Sequence, residues 1–509
     1  MLIGITGKST RRSRLARATL AGAIGFSGIA ALAGTSGAEA THALSTGSTL
    51  VVAIPGDVNN FDPSTEQLNL FDATFKPLIF SYLVKFGPTL NVEPDLAQSW
   101  TENANATVFS FKIRSGATFQ NGDPVTAAAV SESLQHTEQS PSVLAPDLQR
   151  VKTWDVVNTN TLQVTLSAPY AAFLSALADI SIEAPGTYAT QSSHPVGSGP
   201  YEFVSWTPNE QIVLKAWPGY WGPKPATQTL IFKPIPDPTV ALTDLYAGSV
   251  DAIETIPASN VASVNASQAS VVEATTSNQE ALFELHSVGV LANVKVKQAL
   301  AYALDKAAIR AIAYSGDGQS IWNPLPPSSW AYTNITGYPY NLQKAKALLA
   351  QAHASNLTLT VIVPAGYPEG TETAEIWQQD LGEIGVKLNV DTEALSIWLD
   401  QYVKENYQIT WNVFDVKGDP DSFYSIIMLP HLKSDYHNPQ LLAEQAQALA
   451  TANEAQRKAI YVKMDNTVVN QLPVMPIQTE PLYSVVRKGV TGWALNPLGW
   501  PTLATASAG

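Results

Sequence analysis

A chain of 509 residues is too long for one hydrophobic core and has to divide into two or three lobes. Hydrophobic residues make up 45%, ample for burial, but only 14% of residues are charged, against about a quarter in ordinary globular proteins. The net charge of -14 comes with no basic stripe and speaks against nucleic acid as a partner. The absence of cysteine excludes disulfides, thiolate metal sites, a cysteine nucleophile and a lipidated cysteine anchor.

The first forty residues read as an export signal. Lys8, Arg11, Arg12, Arg14 and Arg17 form a basic start, a mildly apolar Ala/Gly-rich run follows, and Ala38-Glu39-Ala40 supplies an A-x-A cleavage site. Residues 10–15, TRRSRL, fit a twin-arginine motif and equally the basic cluster of a general secretory signal. The expected location is extracytoplasmic, in a periplasm or at the outer face of a cell membrane. The low charge density suits variable or acidic surroundings there, because few carboxylates must be protonated as pH falls.

In chain order, TLVVAI at 49–54 is a buried-type strand that ends at a Pro-Gly-Asp turn. Phe75, Leu78, Ile79, Tyr82 and Leu83 recur at helical spacing. TVFSFKI at 107–113 alternates, Thr126 is placed to cap a helix carrying Val130 and Leu134, and residues 154–157 and 162–166 read as a hairpin across Asn158-Thr159-Asn160. Short strands at 212–214 and 230–232 enclose the rigid loop AWPGYWGPKP, and a helix over 238–247 stops at Gly248. A single long helix is expected over 294–314, with Lys297, Lys306 and Arg310 outward. Asn341 caps the next helix, and strands at 357–363 and 386–390 flank a helix at 372–384. That alternation predicts a mostly parallel sheet. A helix, or two, covers 439–472.

The segment 411–424, WNVFDVKGDPDSFY, stands out. An apolar strand (Trp411, Val413, Phe414) breaks at Gly418 and Pro420, where Asp415, Asp419 and Asp421 cluster between aromatics. Such a place holds a ligand between apolar walls and orients it with a few charges, or else it is a loop whose aspartates cap a helix.

Catalytic constellations are missing. There is no H-E-x-x-H, no Walker A sequence, no G-x-S-x-G and no serine followed three residues later by lysine. His431 and His437 flank Asp435 with loop-like spacing, which is more often solvated than metal-bound. The profile is that of a binder without catalytic residues, metal or cofactor. The alternative is a secreted hydrolase that uses Asp415, Asp419 and Asp421.

Several segments in order resemble the family 5 extracellular solute-binding proteins, the dipeptide and oligopeptide receptors of ABC importers. They are residues 96–134, PVGSGPYEFVSW, WPGYWGPKPATQTLIFKPIPD, LYAGSVDAI, NVKVKQALAYALDKAAI, NLQKAKALLAQA and GDPDSFY. The resemblance implies an α/β, type II periplasmic-binding-protein-like fold with two main lobes closing by a hinge and an extra α/β domain. Lobe I would comprise 45–85, 186–280 and 479–509, lobe II 86–185, and lobe III 281–478.

It further implies a monomeric receptor that captures a small solute, oligopeptide or else oligosaccharide, and delivers it to a membrane permease. Strand-like addition of the ligand between Asn69, Leu70, Phe71 and Asp72 in lobe I and Trp411, Asn412, Val413, Phe414 and Asp415 in lobe III is expected, with Asp419 nearby. Peptide-binding members carry an aspartate four residues before the proline of this loop. Here that position is Val416, so the amine-pairing role would fall to Asp415. Trp322, Trp330, Trp398, Trp411 and Trp500 offer flat faces suited to sugar rings, and Trp411 enters the cleft strand.

Overall fold

The computed structural model describes residues 48–65, 74–428 and 436–508. The export signal, Asn69, Leu70, Phe71, Asp72, His431 and Asp435 lie outside them. No helix among the described residues is long and apolar enough to cross a membrane.

Three larger sheets organise these residues. A seven-stranded sheet runs in the order Tyr201–Thr207, Gln211–Ala216, Thr229–Pro234, Thr49–Ile54, Ala252–Ile253, Tyr483–Arg487, Ala269–Glu273. Its middle strand, Thr49–Ile54, is parallel to both neighbours. The near-continuous apolar run is what such a doubly flanked position requires. A five-stranded sheet runs in the order Lys387–Glu393, Thr358–Pro364, Ile409–Asp415, Gln279–Leu285, Val474–Thr479. A four-stranded antiparallel sheet is built from Ala97–Glu102, Val108–Ile113, Thr161–Leu166 and Val151–Asn158, and it includes the expected hairpin.

Each sheet has its own apolar core. The chain passes twice between the seven- and five-stranded sheets, through residues 274–278 and 480–482. The four-stranded body meets the five-stranded one where Ala171 N donates to Leu449 O at 2.8 Å and the Leu449 side chain joins the former's core. Mixed α/β sheets joined by paired crossings make this a type II periplasmic-binding-protein-like fold.

Three expectations change. The sheets are mixed, because Gln279–Leu285 pairs antiparallel with both its neighbours. The helix at Phe75 is one turn long, Lys76–Ile79, with Pro77 in its first turn. Phe80 turns extended and Ser81–Tyr82 pairs with Ser181–Ile182, so pairing with a distant strand overrides the local periodicity.

The expected long helix at 294–314 is two, Val294–Tyr302 and Lys306–Ile312, since the Asp305 side chain accepts from the Ala307 and Ala308 N–H groups and starts a new helix. Lys297 and Lys306 are buried, not outward. The Lys306 ammonium donates to the carbonyls of Ile321 and Pro476 and lies 3.2 Å from the centre of the Trp322 ring. Those partners offset part of the cost of taking the charge out of water.

Candidate functional site

Within the five-stranded sheet, Thr358–Pro364 is parallel to Lys387–Glu393 on one side and to Ile409–Asp415 on the other. From Thr358–Pro364 the chain crosses by the helix Pro368–Glu383 to the edge strand. It then returns by the helix Leu395–Val403, past its starting point, to Ile409–Asp415. The first helix packs Trp377 and Leu381 into the large core; the second packs Trp398 and Tyr402 with Ile362 and Tyr407 in a separate cluster. The winding of the chain across the sheet therefore reverses at Thr358–Pro364, and the region outside the carboxyl ends of these strands, where ligands bind in open α/β sheets, is the candidate crevice. Pairing between Thr358–Pro364 and Ile409–Asp415 is confined to Val361 with Ile409 and Ile362 with Thr410. Beyond Thr410 the two strands part.

Side chains of the cleft strand alternate. Trp411 and Val413 join the large core on one face, whereas Phe414 joins a second core on the other and Asn412 Nδ2 donates to Glu284 at 3.0 Å. Trp411 is only 1% exposed. Its ring lies 5.6 Å from that of Tyr367, tilted by 52°, and a Cβ at Gly370 would meet its Cδ2 and Cε3 atoms at 2.7 Å. Only glycine lets the start of the helix Pro368–Glu383 lie against the indole. Tyr367 is 40% exposed and Asp415 is half-buried at the same rim.

Carboxyl groups gather beside this aromatic pair. Glu480, in the second crossing between the sheets, is buried and accepts from the Tyr314 hydroxyl at 2.8 Å. Burial, reinforced by the Glu369 carboxylate, pushes its pKa up to about 8. Glu369, half-buried in the first turn of the helix, is raised by burial and by Glu372. On the seven-stranded side, burial raises Glu254 to about 7 although the Thr74 hydroxyl donates to it.

The three aspartates of the loop are not one constellation. Asp419 is buried and accepts Arg457 Nη1 at 2.6 Å and Nη2 at 2.7 Å, with Tyr461 Oη at 3.3 Å. Its carboxylate clamps the loop to the helix Glu454–Gln471. Asp421 accepts from Gln445 and Ser425, both at 2.7 Å. Asp415 alone lies at the rim of the crevice.

Val416 is buried, and its backbone N donates to Asn278 O at 2.9 Å. Trp322, Trp330, Trp398 and Trp500 contact Lys306, Tyr461, Tyr402 and Lys417 respectively. Among the described residues no group of three or more His, Asp or Glu could hold a metal ion. Sequence reasoning missed Tyr314, Tyr367, Glu369 and Glu480. The exposed glycine turn Gly366-Tyr367-Pro368 after an alternating strand was the signal available for the middle two.

Two sheets joined by paired crossings, one of them with a switch point among its parallel strands, have the layout of a ligand-binding protein of the periplasmic type. The chain belongs to the bacterial extracellular solute-binding proteins, family 5: the family model "Bacterial extracellular solute-binding proteins, family 5 Middle" matches residues 91–431. It is 29% identical over 478 residues to heme-binding protein A of Haemophilus influenzae, covering 83% of this chain and 85% of that one. It is 27% identical over 505 residues to the dipeptide-binding protein of Escherichia coli strain K12, covering 89% and 93%. A dipeptide-binding protein from Pseudoalteromonas in complex with Met-Leu superposes with a TM-score of 0.82 at 20% identity, covering 91% of this chain and 100% of that one. The chain is thus a substrate-binding receptor of the ABC-importer type, with a small-molecule ligand and a membrane permease as partners.

Proposed function

We propose that the ligand is an oligopeptide, captured between the seven- and five-stranded lobes and handed intact to the permease. The reading rests on the parting of the two parallel strands after Thr410. An extended peptide has room there to add as a strand beside Trp411, Val413 and Asp415. The open ring of Tyr367 supplies an apolar wall, and Asp415 supplies an acceptor for the α-amine. Lobes at 45–85, 186–280 and 479–509 and at 281–478, with 86–185 appended to the first, close by bending at 274–278 and 480–482. Closure distinguishes the loaded receptor from the empty one.

Thermal melting of the purified protein with di- to pentapeptides and with xylo-oligosaccharides tests this. At a hundredfold excess over Kd a bound ligand stabilises by about 2.7 kcal/mol. Peptides are expected to raise the Tm and to be recovered unchanged by mass spectrometry. A rise with sugars alone overturns the peptide reading, and recovery of cleaved peptide overturns the receptor reading.

A further inference from the structure

The large apolar side chains that stay exposed are concentrated in one helix. Leu395, Ile397, Leu399 and Val403 are 47%, 53%, 40% and 60% exposed, all within Leu395–Val403. No other helix among the described residues carries more than one such side chain. Of this helix only Trp398 and Tyr402 are buried, against Ile362 and Tyr407. At about 3.6 residues per turn, Leu395, Leu399 and Val403 run down one flank of that buried seam, and Ile397 lies on the other. Asp400 falls on the crest opposite the seam, with Lys404 Nζ 2.6 Å from its carboxylate. The helix is a ridge with apolar flanks and a charged crest. It begins at the crevice end of its sheet, where Glu393 O, at the end of the edge strand, accepts from Ala365 N at 2.6 Å beside the Tyr367 turn.

We propose that this ridge is the element by which the receptor docks on its permease, seated in a groove with apolar walls and a polar floor. Shape and charge select that occupant. A groove straddles the ridge, covers both flanks and leaves the Asp400–Lys404 pair in a polar setting. A flat lipid surface meets the charged crest first, and the helix contains no Lys or Arg of the kind that holds interfacial helices on membranes. A second copy related by a twofold axis sets crest against crest and one Asp400 near the other. The flanks offer on the order of 300 Å² of apolar surface, well below the roughly 800 Å² that each partner buries in a stable complex. So small an area suits a contact that is made and broken at each delivery. The inference rests on the receptor class and holds whatever the ligand is.

Photo-crosslinking in cells that produce the protein natively tests this. The photoreactive residue p-benzoylphenylalanine is placed at Leu399 or, as a control, at Ile312, which is 61% exposed on another helix. Adducts are identified by mass spectrometry. The Leu399 probe is expected to capture an integral membrane subunit of an ABC importer, and the Ile312 probe is not. Leu395→Asp with Val403→Asp, added to the Leu399 probe, should cut that yield by about tenfold or more. The purified variant should melt as the wild type does, since both positions are exposed. Should the aspartates lower the Tm, Leu395→Ser with Val403→Ser takes their place under the same criteria. A Leu399 adduct with a second copy of this chain or with lipid overturns the proposal. So does an equal yield of the same partner from Ile312, an undiminished yield in the folded double variant, or no adduct at all. None of these outcomes bears on the peptide reading, which the melting experiment tests separately.

Discussion

Lys417 Nζ lies 2.6 Å from Asp179 Oδ2, although the two residues belong to different sheet-centred bodies and stand 238 positions apart in the chain. Lys417 follows the cleft strand directly, and Asp179 also faces the buried Lys76 at 3.9 Å. One carboxylate thus ties together segments near all three larger sheets. Losing its charge weakens the pairing of two largely buried cations. Asp179→Asn is expected to weaken the closed form. Small-angle scattering of the variant should show a larger radius of gyration than the wild type at equal ligand, and an unchanged curve would deny the pair any part in closure.

Trp411→Ala is expected to lower stability as well as binding, because the indole is core and not merely cleft wall. Truncating a buried tryptophan costs about 3–5 kcal/mol. Denaturant unfolding measures it, and a loss under 1 kcal/mol, roughly the level of a surface change, would place the ring outside the core. Gly370→Ala presses a methyl group onto the same ring. It should cost about 1–3 kcal/mol through overpacking and loosen ligand binding by moving Tyr367.

Arg457→Met leaves the Asp419 carboxylate buried beside Tyr461 without its cation. Breaking a buried pair from one side costs about 3–5 kcal/mol, so the Tm should fall steeply. Affinity measured well below that Tm should hardly change, since this pair secures the loop from behind. A selective loss of affinity with the Tm intact would show instead that Asp419 meets the ligand.

Stability should be greater at pH 5 than at pH 8. Burial holds Glu183 and Glu480 at about 8, and Glu254, Glu284 and Asp465 at about 7, all above the values of the unfolded chain. For a raised carboxyl the unfolded chain releases its proton first. Stability is therefore full below the unfolded pKa and declines as pH rises toward the folded one, here between about 4.5 and 8. A carboxyl that holds its proton tenfold more tightly in the folded chain than in the unfolded one contributes about 1.4 kcal/mol to this decline. Lys306, whose pKa burial pushes well below the usual lysine value, and Lys297, lowered by burial to about 8, act in the opposite sense as two groups against five. Calorimetric melting across this range should show a falling Tm, and a rising one would refute the assignment. The sparse charge of the sequence pointed to acid tolerance; the buried carboxyls give it a mechanism.

What could be read from the sequence was what local chemistry decides. Thr49–Ile54 announces a doubly flanked strand by its apolar run, Pro238–Ala247 ends at a left-handed Gly248, and Thr126 caps its helix by bonding Ala129 N. Lys306 and Glu480 could not be placed this way, because a charged residue in an amphipathic pattern reads as exposed until distant partners are known. Asp415 and Asp419 look equivalent four residues apart. Only the position of Arg457, on a helix far down the chain, makes one a clamp and leaves the other at the rim. Ordered segments identified the family, while the contacts that qualify each carboxylate come from residues too remote for spacing to relate.

The strand Tyr483–Arg487 sits between Ala252–Ile253 and Ala269–Glu273 and is the neighbour through which the latter joins its sheet. It is also the last strand of that sheet in chain order, more than two hundred residues beyond its neighbours. Until it has been synthesised, the outermost strand of the first lobe has nothing to zip onto. Premature compaction of a half-made lobe is thereby discouraged.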